Sequence, residues 1–318
     1  MKAKVLVTEN IHAIGWETLQ RAGLEAVAWP GQETQPLAEA VADVQAILVR
    51  VAKVGADVIQ AGKALRVIGK HGVGTDNIDI PAATRQGVLV TNTPQANSTS
   101  VAEHALALLL AVARRIGESG RDLATGTLRP QKVYQGVELS GKVMGVIGLG
   151  SAGFRLARMT GQGLGMRVLG FDPYKSPWPE GIQQCRELAP LLAQADFVSI
   201  HVPLTKETRN LIGPDTLPKM KPTAILVNTA RGGIVDEAAV ASALRAGRLA
   251  GAGLDVVEDE PLKADHPLNG VPNCILTPHM AGVTEEAMMH MAQDSAEDIV
   301  RVLRGERPRY PVNRELVG

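Results

Sequence analysis

The stretch "VIGLGSAGFRLARM", residues 146–159, decides how the rest of the chain is read. Gly148, Gly150 and Gly153 stand in the spacing G-x-G-x-x-G, directly after the apolar run "KVMGVI" and before a segment able to continue as a helix. Gly148 permits a tight turn, Gly150 lets the main chain approach a pyrophosphate, and Gly153 lets helix pack on strand, with the helix N-terminus facing the anion. The spacing alone is a weak signal; the strand before it and an acid after it make it specific. The next apolar run, "RVLGF", leads into Asp172, nineteen residues beyond Gly153. A carboxylate there accepts hydrogen bonds from the adenosine ribose and repels a 2′-phosphate, so NAD is expected over NADP, with nearby Lys175 working slightly against that preference. A second pattern, "GVELSGKV" (136–143), fits G-x-x-x-x-G-K, but Val143 stands where Ser or Thr would hold Mg²⁺. That loop also precedes its strand instead of following it, which excludes an NTPase.

Outward from this motif, β-rich runs alternate with helical segments from end to end. "KVLVTE" (4–9), "AILVR" (46–50), "RVIGK" (66–70) and "VLVTN" (88–92) read as strands, separated by helices over 13–22, 55–63 and 79–86. After residue 140 the rhythm resumes with "RVLGFD", "DFVSIHVP", "AILVNTA", "GAGLDVV" and "CILTPH". These runs lack clean alternation, as parallel strands covered on both faces do. The fold class expected is α/β with doubly wound parallel sheets. Two longer helices are predicted, from about Thr99 to Leu123 and from about Thr284 to Leu303, the second N-capped by Thr284.

Composition narrows the function. The chain has 318 residues, 45% hydrophobic and 21% charged, and Lys plus Arg equals Asp plus Glu at 33 each. A nucleic-acid binder needs a basic excess that is missing here. The longest apolar stretch, "ALALLLAVA" (105–113), is too short to span a bilayer, and "MKAKVLVTEN" turns polar too early for a signal peptide. Two cysteines, Cys185 and Cys274, make no disulfide framework and fit a reducing cytoplasm, each read as a small buried hydrophobe.

In an open parallel sheet, ligands bind beyond the carboxyl ends of the strands. Arg231 follows "AILVNTA", Glu260 follows "GLDVVEDE" and His279 follows "CILTP", so all three fall on the edge that carries the glycine loop. Oxidising a 2-hydroxy acid needs a base for the hydroxyl proton while hydride leaves for nicotinamide. His279 suits that role, Glu260 can hold the second imidazole nitrogen, and Arg231 offers a planar fork to a carboxylate. Each residue alone has a bland structural reading; together at successive strand ends they are specific. The other six histidines, His12, His71, His104, His201, His266 and His290, show no metal-ligand spacing. No metal is expected, and these rings read as structural, with His71 and His201 set partly apart.

The chain strongly resembles the D-isomer-specific 2-hydroxyacid dehydrogenases, above all their phosphoglycerate dehydrogenase branch. The resemblance rests on "ILVRVAKVGADVI", "GKHGVGTDNIDIPAAT", "NTPQANSTSVAEHALAL", "GKVMGVIGLGSAG", "HVPLTKETRNLI", "LVNTARGGIVDEAAV", "AGAGLDVVEDEPL" and "NCILTPHMAG", and covers nearly the whole chain. It implies a nucleotide domain (98–283) inserted into a substrate domain (1–97 and 284–318), which explains why so much chain precedes the glycine motif. It carries the family's Arg, Glu and His onto Arg231, Glu260 and His279. Cofactor contacts would fall on Gly148, Leu149, Gly150, Ser151, Ala152, Gly153, Asp172, His201, Pro203, Thr208, Ala230, Asp255 and Gly282. The substrate carboxylate would meet the N–H groups of Val73 and Gly74, and Arg50 would face a substrate phosphate, with Lys70 and Lys132 as weaker cations.

The resemblance further implies NAD as cofactor, a small 2-hydroxy or 2-oxo acid as substrate, and a homodimer formed through residues 99–140 of the nucleotide domain. Phosphoglycerate is the first substrate reading. "MAGVTEEAM" after His279 departs from that branch toward glyoxylate or hydroxypyruvate reductases. With the chain ending at residue 318, the regulatory domains of longer phosphoglycerate dehydrogenases, and serine feedback through them, are not expected. A reading of another class is an NAD(H)-sensing corepressor, since such members can keep the same Arg, Glu and His.

Overall fold

The structure, a computed structural model, describes residues 2–317. The chain divides into two compact units, residues 1–97 with 282–318, and residues 98–281. The second division falls between Ala281 and Gly282, where the sequence reading put it between 283 and 284; Gly282 therefore belongs to the first unit.

The first unit holds five parallel strands: β1 (Lys4–Val7), β2 (Glu25–Ala28), β3 (Ala46–Val49), β4 (Val67–Lys70) and β5 (Leu89–Thr91). Their order, β2-β1-β3-β4-β5, is doubly wound, with its switch point between β1 and β3. Successive residues serve opposite faces. Leu6 packs with Ile47 and Ile68 on one side. Val5 and Val7 pack on the other against Ala292, Ala296 and Ile299 of the Glu285–Leu303 helix. Thr284 caps that helix by accepting the N–H of Ala287 at 3.2 Å.

The second unit adds β6 (Val143–Ile147), β7 (Arg167–Phe171), β8 (Gln183–Gln184), β9 (Phe197–Ile200), β10 (Ile225–Asn228), β11 (Gly251–Leu254) and β12 (Cys274–Leu276). They form a parallel sheet of order β12-β11-β10-β9-β6-β7-β8, whose switch point lies between β6 and β9. The α/β class with two doubly wound sheets is therefore the observed one. β2, four residues with exposed ends, and β8, two exposed glutamines, had no signal in the hydrophobic pattern.

The single helix predicted from Thr99 to Leu123 is two, Ser98–Ala113 and Ile116–Ala124. The carbonyl of Ala113 takes the N–H of Val137 at 2.9 Å, a partner from outside the helix, and Arg115 turns left-handed at φ 53°. Among the described residues, no helix is long and apolar enough to cross a membrane, and no group of His, Cys, Asp and Glu is arranged to hold a metal ion.

Candidate active site

The glycine loop lies at the switch point of the seven-stranded sheet. Gly148 is left-handed at φ 88° and buried against the chain leaving β9: a Cβ there would meet the carbonyl oxygen of His201 at 2.6 Å. A Cβ on Gly153 would strike the Gly148 carbonyl, so helix and turn pack at a distance only glycine allows. Gly150 is different. It precedes the Ser151–Arg158 helix, makes no side-chain cap, and a Cβ there would find nothing within 4 Å. The positive end of the helix thus opens onto free space beside Gly150, exposed Ser151 and half-buried Ala152. This cradle fits the pyrophosphate of a dinucleotide.

Leu149 points inward, fully buried, and its N–H donates to Asp172 Oδ2 at 2.8 Å. Asp172 Oδ1 accepts the N–H of Tyr174 at 3.0 Å. The acid at the end of β7 is therefore tied to the glycine loop. His201, just after β9, donates its N–H to Ile147 at 2.7 Å, and its Nε2 lies 2.8 Å from Ser199 Oγ. Burial pushes the ring down to about 4, so it is neutral near pH 7. Thr208 donates to the Pro203 carbonyl at 2.6 Å and accepts the N–H of Thr205 at 2.7 Å, closing the loop after β9. The N–H of Ala230 donates to Asn228 Oδ1 at 3.0 Å.

The structure brings His279 and Glu260 together: Nδ1 lies 2.8 Å from Glu260 Oε2, with the two side chains 48% and 39% exposed. The engaged Nδ1 leaves Nε2 for a reacting group. His279 sits in a left-handed turn at φ 50°, and Asp255 holds that turn. The Asp255 main-chain carbonyl accepts the N–H of His279 at 2.8 Å. Its carboxylate accepts from Thr277 Oγ1 at 2.6 Å and from the N–H groups of Met280 and Ala281 at 2.9 and 2.8 Å. Burial works to raise this carboxyl, but bonds from His104, Thr277, Met280 and Ala281 outweigh it and hold it below the usual carboxylate value. Only 1% exposed, the Asp255 carboxylate faces the turn. Among the described residues this carboxylate shapes the turn that carries His279. Arg231, half-buried after β10, donates through Nη1 to the Ala230 carbonyl at 2.7 Å, and its own carbonyl accepts from Asn228 Nδ2 at 2.8 Å.

In the five-stranded unit, Arg50 leaves β3 at that sheet's switch point and is half-buried. The Glu9 carboxylate, beyond β1, accepts the N–H groups of Arg50, Val51 and Ala52 at 2.7, 3.0 and 2.6 Å. Lys70 is 8% exposed; its ammonium donates to the Arg50 carbonyl and to Asn77 Oδ1, the latter at 2.7 Å. These two bonds brace the loops after β3 and β4. Lys132 is exposed in the Gln131–Tyr134 turn of the other unit. Val73 is exposed and Gly74 half-buried, and Asn92 Nδ2 fixes their loop through the Val73 carbonyl at 2.7 Å. His71 is 2% exposed with neither ring nitrogen hydrogen-bonded. Burial, then the nearby Arg50 charge, pushes it down to about 4.

Sequence reasoning missed Glu9 and His104, which shape these sites. His104 Nε2 lies 3.0 Å from Thr277 Oγ1 and 3.4 Å from Asp255. Burial pushes the Cys274 thiol up to about 12 and raises Cys185 as well, so neither is a ready thiolate.

Similarity to known proteins follows the same residues. The family profile described as "D-isomer specific 2-hydroxyacid dehydrogenase, NAD binding domain" matches residues 106–281. A D-3-phosphoglycerate dehydrogenase of Archaeoglobus fulgidus is 45% identical over 98% of this chain, and the chain spans 59% of its length. A glyoxylate reductase of Korarchaeum cryptofilum is 38% identical over 100% of this chain and 98% of its own. A solved NADPH-dependent glyoxylate/hydroxypyruvate reductase of Sinorhizobium meliloti, in complex with NADP and malonate, superposes with TM-score 0.87 at 27% identity, covering 98% of this chain and 97% of that one. The chain belongs to the D-isomer-specific 2-hydroxyacid dehydrogenase family.

Proposed function

We propose that this chain is an NAD-dependent oxidoreductase interconverting a D-2-hydroxy acid and its 2-oxo acid, with D-3-phosphoglycerate and 3-phosphohydroxypyruvate as the pair. The observation that carries the reading is the His279–Glu260 contact of 2.8 Å on the sheet edge that bears the glycine loop. His279 takes the hydroxyl proton at Nε2 in oxidation and returns it in reduction. Glu260 holds the imidazole through Nδ1. Arg231 directs its guanidinium to the substrate's carboxylate and carbonyl oxygen. Within the five-stranded unit, the N–H groups of Val73 and Gly74 are the anion-binding groups of this reading. A nicotinamide cofactor held at the glycine loop would supply the acceptor for the hydride from C2, and its donor in the reverse direction.

The family's NAD-binding domain and the Asp172 carboxylate beside the glycine loop favour NAD over NADP. A homodimer through residues 99–140 belongs to this reading. The Ile116–Ala124 helix buries none of its residues, and Ile116, Leu123, Leu128, Val133 and Val137 are exposed. Such an apolar run suits a second copy, and sedimentation at micromolar concentration checks it; a monomer contradicts it. A cytoplasmic setting goes with the two free thiols.

A second reading, a glyoxylate or hydroxypyruvate reductase, is favoured by "MAGVTEEAM" after His279 and by the relative of that name that this chain matches over 98% of its length. The deciding experiment is a panel of phosphoglycerate, glycerate, lactate and their oxo acids, with NADH and NADPH. The first reading predicts highest kcat/KM for the phosphorylated pair with NADH. Far better use of hydroxypyruvate or glyoxylate replaces it with the second. No turnover with any of them leaves the corepressor class.

A further inference from the structure

Glu260 lies exposed on an irregular loop between β11 and β12, so something must hold it against His279. We propose that Glu237 is a positioning residue for the acid–base pair, clamping both ends of the Glu260 loop with one carboxylate. This rests on the reading of His279 and Glu260 given above.

Glu237 is the first residue of the Glu237–Arg245 helix, directly after Asp236, which caps the helix by accepting the N–H of Ala239 at 2.8 Å. The two oxygens of Glu237 go to different places. Oε1 accepts the N–H of Glu258 at 2.7 Å, two residues before Glu260. Oε2 lies 2.8 Å from Nε2 of His266, six residues after it. His266 Nδ1 accepts the N–H of Leu268 at 3.3 Å, so the ring proton sits on Nε2 and is donated to Glu237. The side chains of His266 and Glu237 are 9% and 11% exposed, far less than Glu260. The helix N-terminus favours the charge on Glu237.

Outside the clamped span, main-chain packing joins this loop to the turn after β10. A Cβ on Gly232 would strike the carbonyl of Val257, so the loop carrying Arg231 lies directly on the residue before Glu258. Glu258 also pairs with Arg209. Within the loop, the Lys263–Asp259 pair at 3.1 Å is exposed and holds little, while Asn269 Nδ2 donates to the Lys263 and Ala264 carbonyls at 2.9 Å and the Val257 N–H lies 3.4 Å from Glu260 Oε1, all contacts internal to the loop. Fixing residues 258 and 266 therefore sets where Glu260 stands.

A double-mutant cycle reads this out. Glu237→Ala should lower kcat about 10–100-fold with KM changed less than about threefold, because the loss falls on proton transfer and not on substrate affinity. NADH binding, which depends on the glycine loop, should be unchanged. In a Glu260→Gln background the same substitution should cost less than about twofold, since the group it positions is already disabled. Glu237→Gln, which keeps an acceptor for the Glu258 N–H, should recover part of the activity. If Glu237→Ala fails to fold, His266→Ala, which removes one anchor, takes its place in the cycle with the same expectation. Equal losses of kcat in both backgrounds, or no loss in the first, overturn the clamp. If Glu260→Gln alone turns over like wild type, the acid–base reading itself fails, a result distinct from failure of the clamp.

Discussion

At the strand ends of the seven-stranded unit, the ionisable groups stand in solvent while the groups that hold them are buried. His279 and Glu260 are exposed, and Asp255, which shapes the His279 turn, is 1% exposed. At the strand ends of the five-stranded unit, Lys70 is buried, and the Glu9 carboxylate is engaged by three N–H groups. There the charges shape backbone, and the residue left exposed in the loop, Val73, carries no charge. In the proposed mechanism one sheet edge supplies side chains that move a proton, and the other supplies amides that bind an anion. A charged residue in a motif is therefore no guide to function until its partners are known: "KHGVGTD" owes its shape to Lys70 without exposing it.

The contrast can be broken most sharply at His279. His279→Ala should lower kcat by roughly 10²–10⁴-fold with NADH affinity retained, the usual worth of a general acid–base. Steady-state rates with a fluorescence titration of NADH check both halves, and a folded variant with normal turnover removes His279 from the mechanism.

Two histidines, buried His71 and half-buried His201, give the next effect. In both His71 and His201 burial pushes the folded ring down to about 4, against an ordinary 6.5. Between those pH values the unfolded chain binds protons that the folded chain refuses, so stability falls as pH drops from 6.5 toward 4 and is unaffected by these groups above that window. For nearly fully buried His71, beside Arg50 and Lys70, the contribution reaches about 3 kcal/mol. Urea midpoints between pH 7 and 4.5 should show the decline, and His71→Leu should flatten it; an unchanged slope contradicts the assignment.

Arg50 and Lys70 divide the five-stranded unit further. Arg50→Ala should raise KM for phosphohydroxypyruvate by about 10–100-fold and KM for hydroxypyruvate much less. Lys70→Met should weaken both substrates alike, since its ammonium holds the Arg50 carbonyl and Asn77. Equal effects of Arg50→Ala on the two substrates make Arg50 structural too. The smallest change is expected at Asp172: Asp172→Ala should narrow the ratio of NAD to NADP efficiency, and an unmutated enzyme preferring NADP refutes that role.

Most strands were legible because Val, Ile and Leu runs covered on both faces leave a strong local signal, and β3, β6 and β10 lie within the runs read as strands. Arg231, Glu260 and His279 were legible because each follows such a run. The break in the 99–123 helix was not, because Val137, far along the chain, supplies the competing N–H. Nor were the roles of Glu9 and Asp255. Glu9 bonds residues about forty positions away, and Asp255 is fixed by His104 and the 277–281 turn. Such pairings arise only when the sheet brings distant strand ends together.

The most direct test of hydride transfer from a D-2-hydroxy acid is NADH formation, followed by absorbance, with the D and L enantiomers of glycerate and 3-phosphoglycerate supplied separately with NAD. The account predicts turnover with the D enantiomer alone, lost in His279→Ala. Turnover with the L enantiomer, or none with any D-2-hydroxy acid, would contradict it.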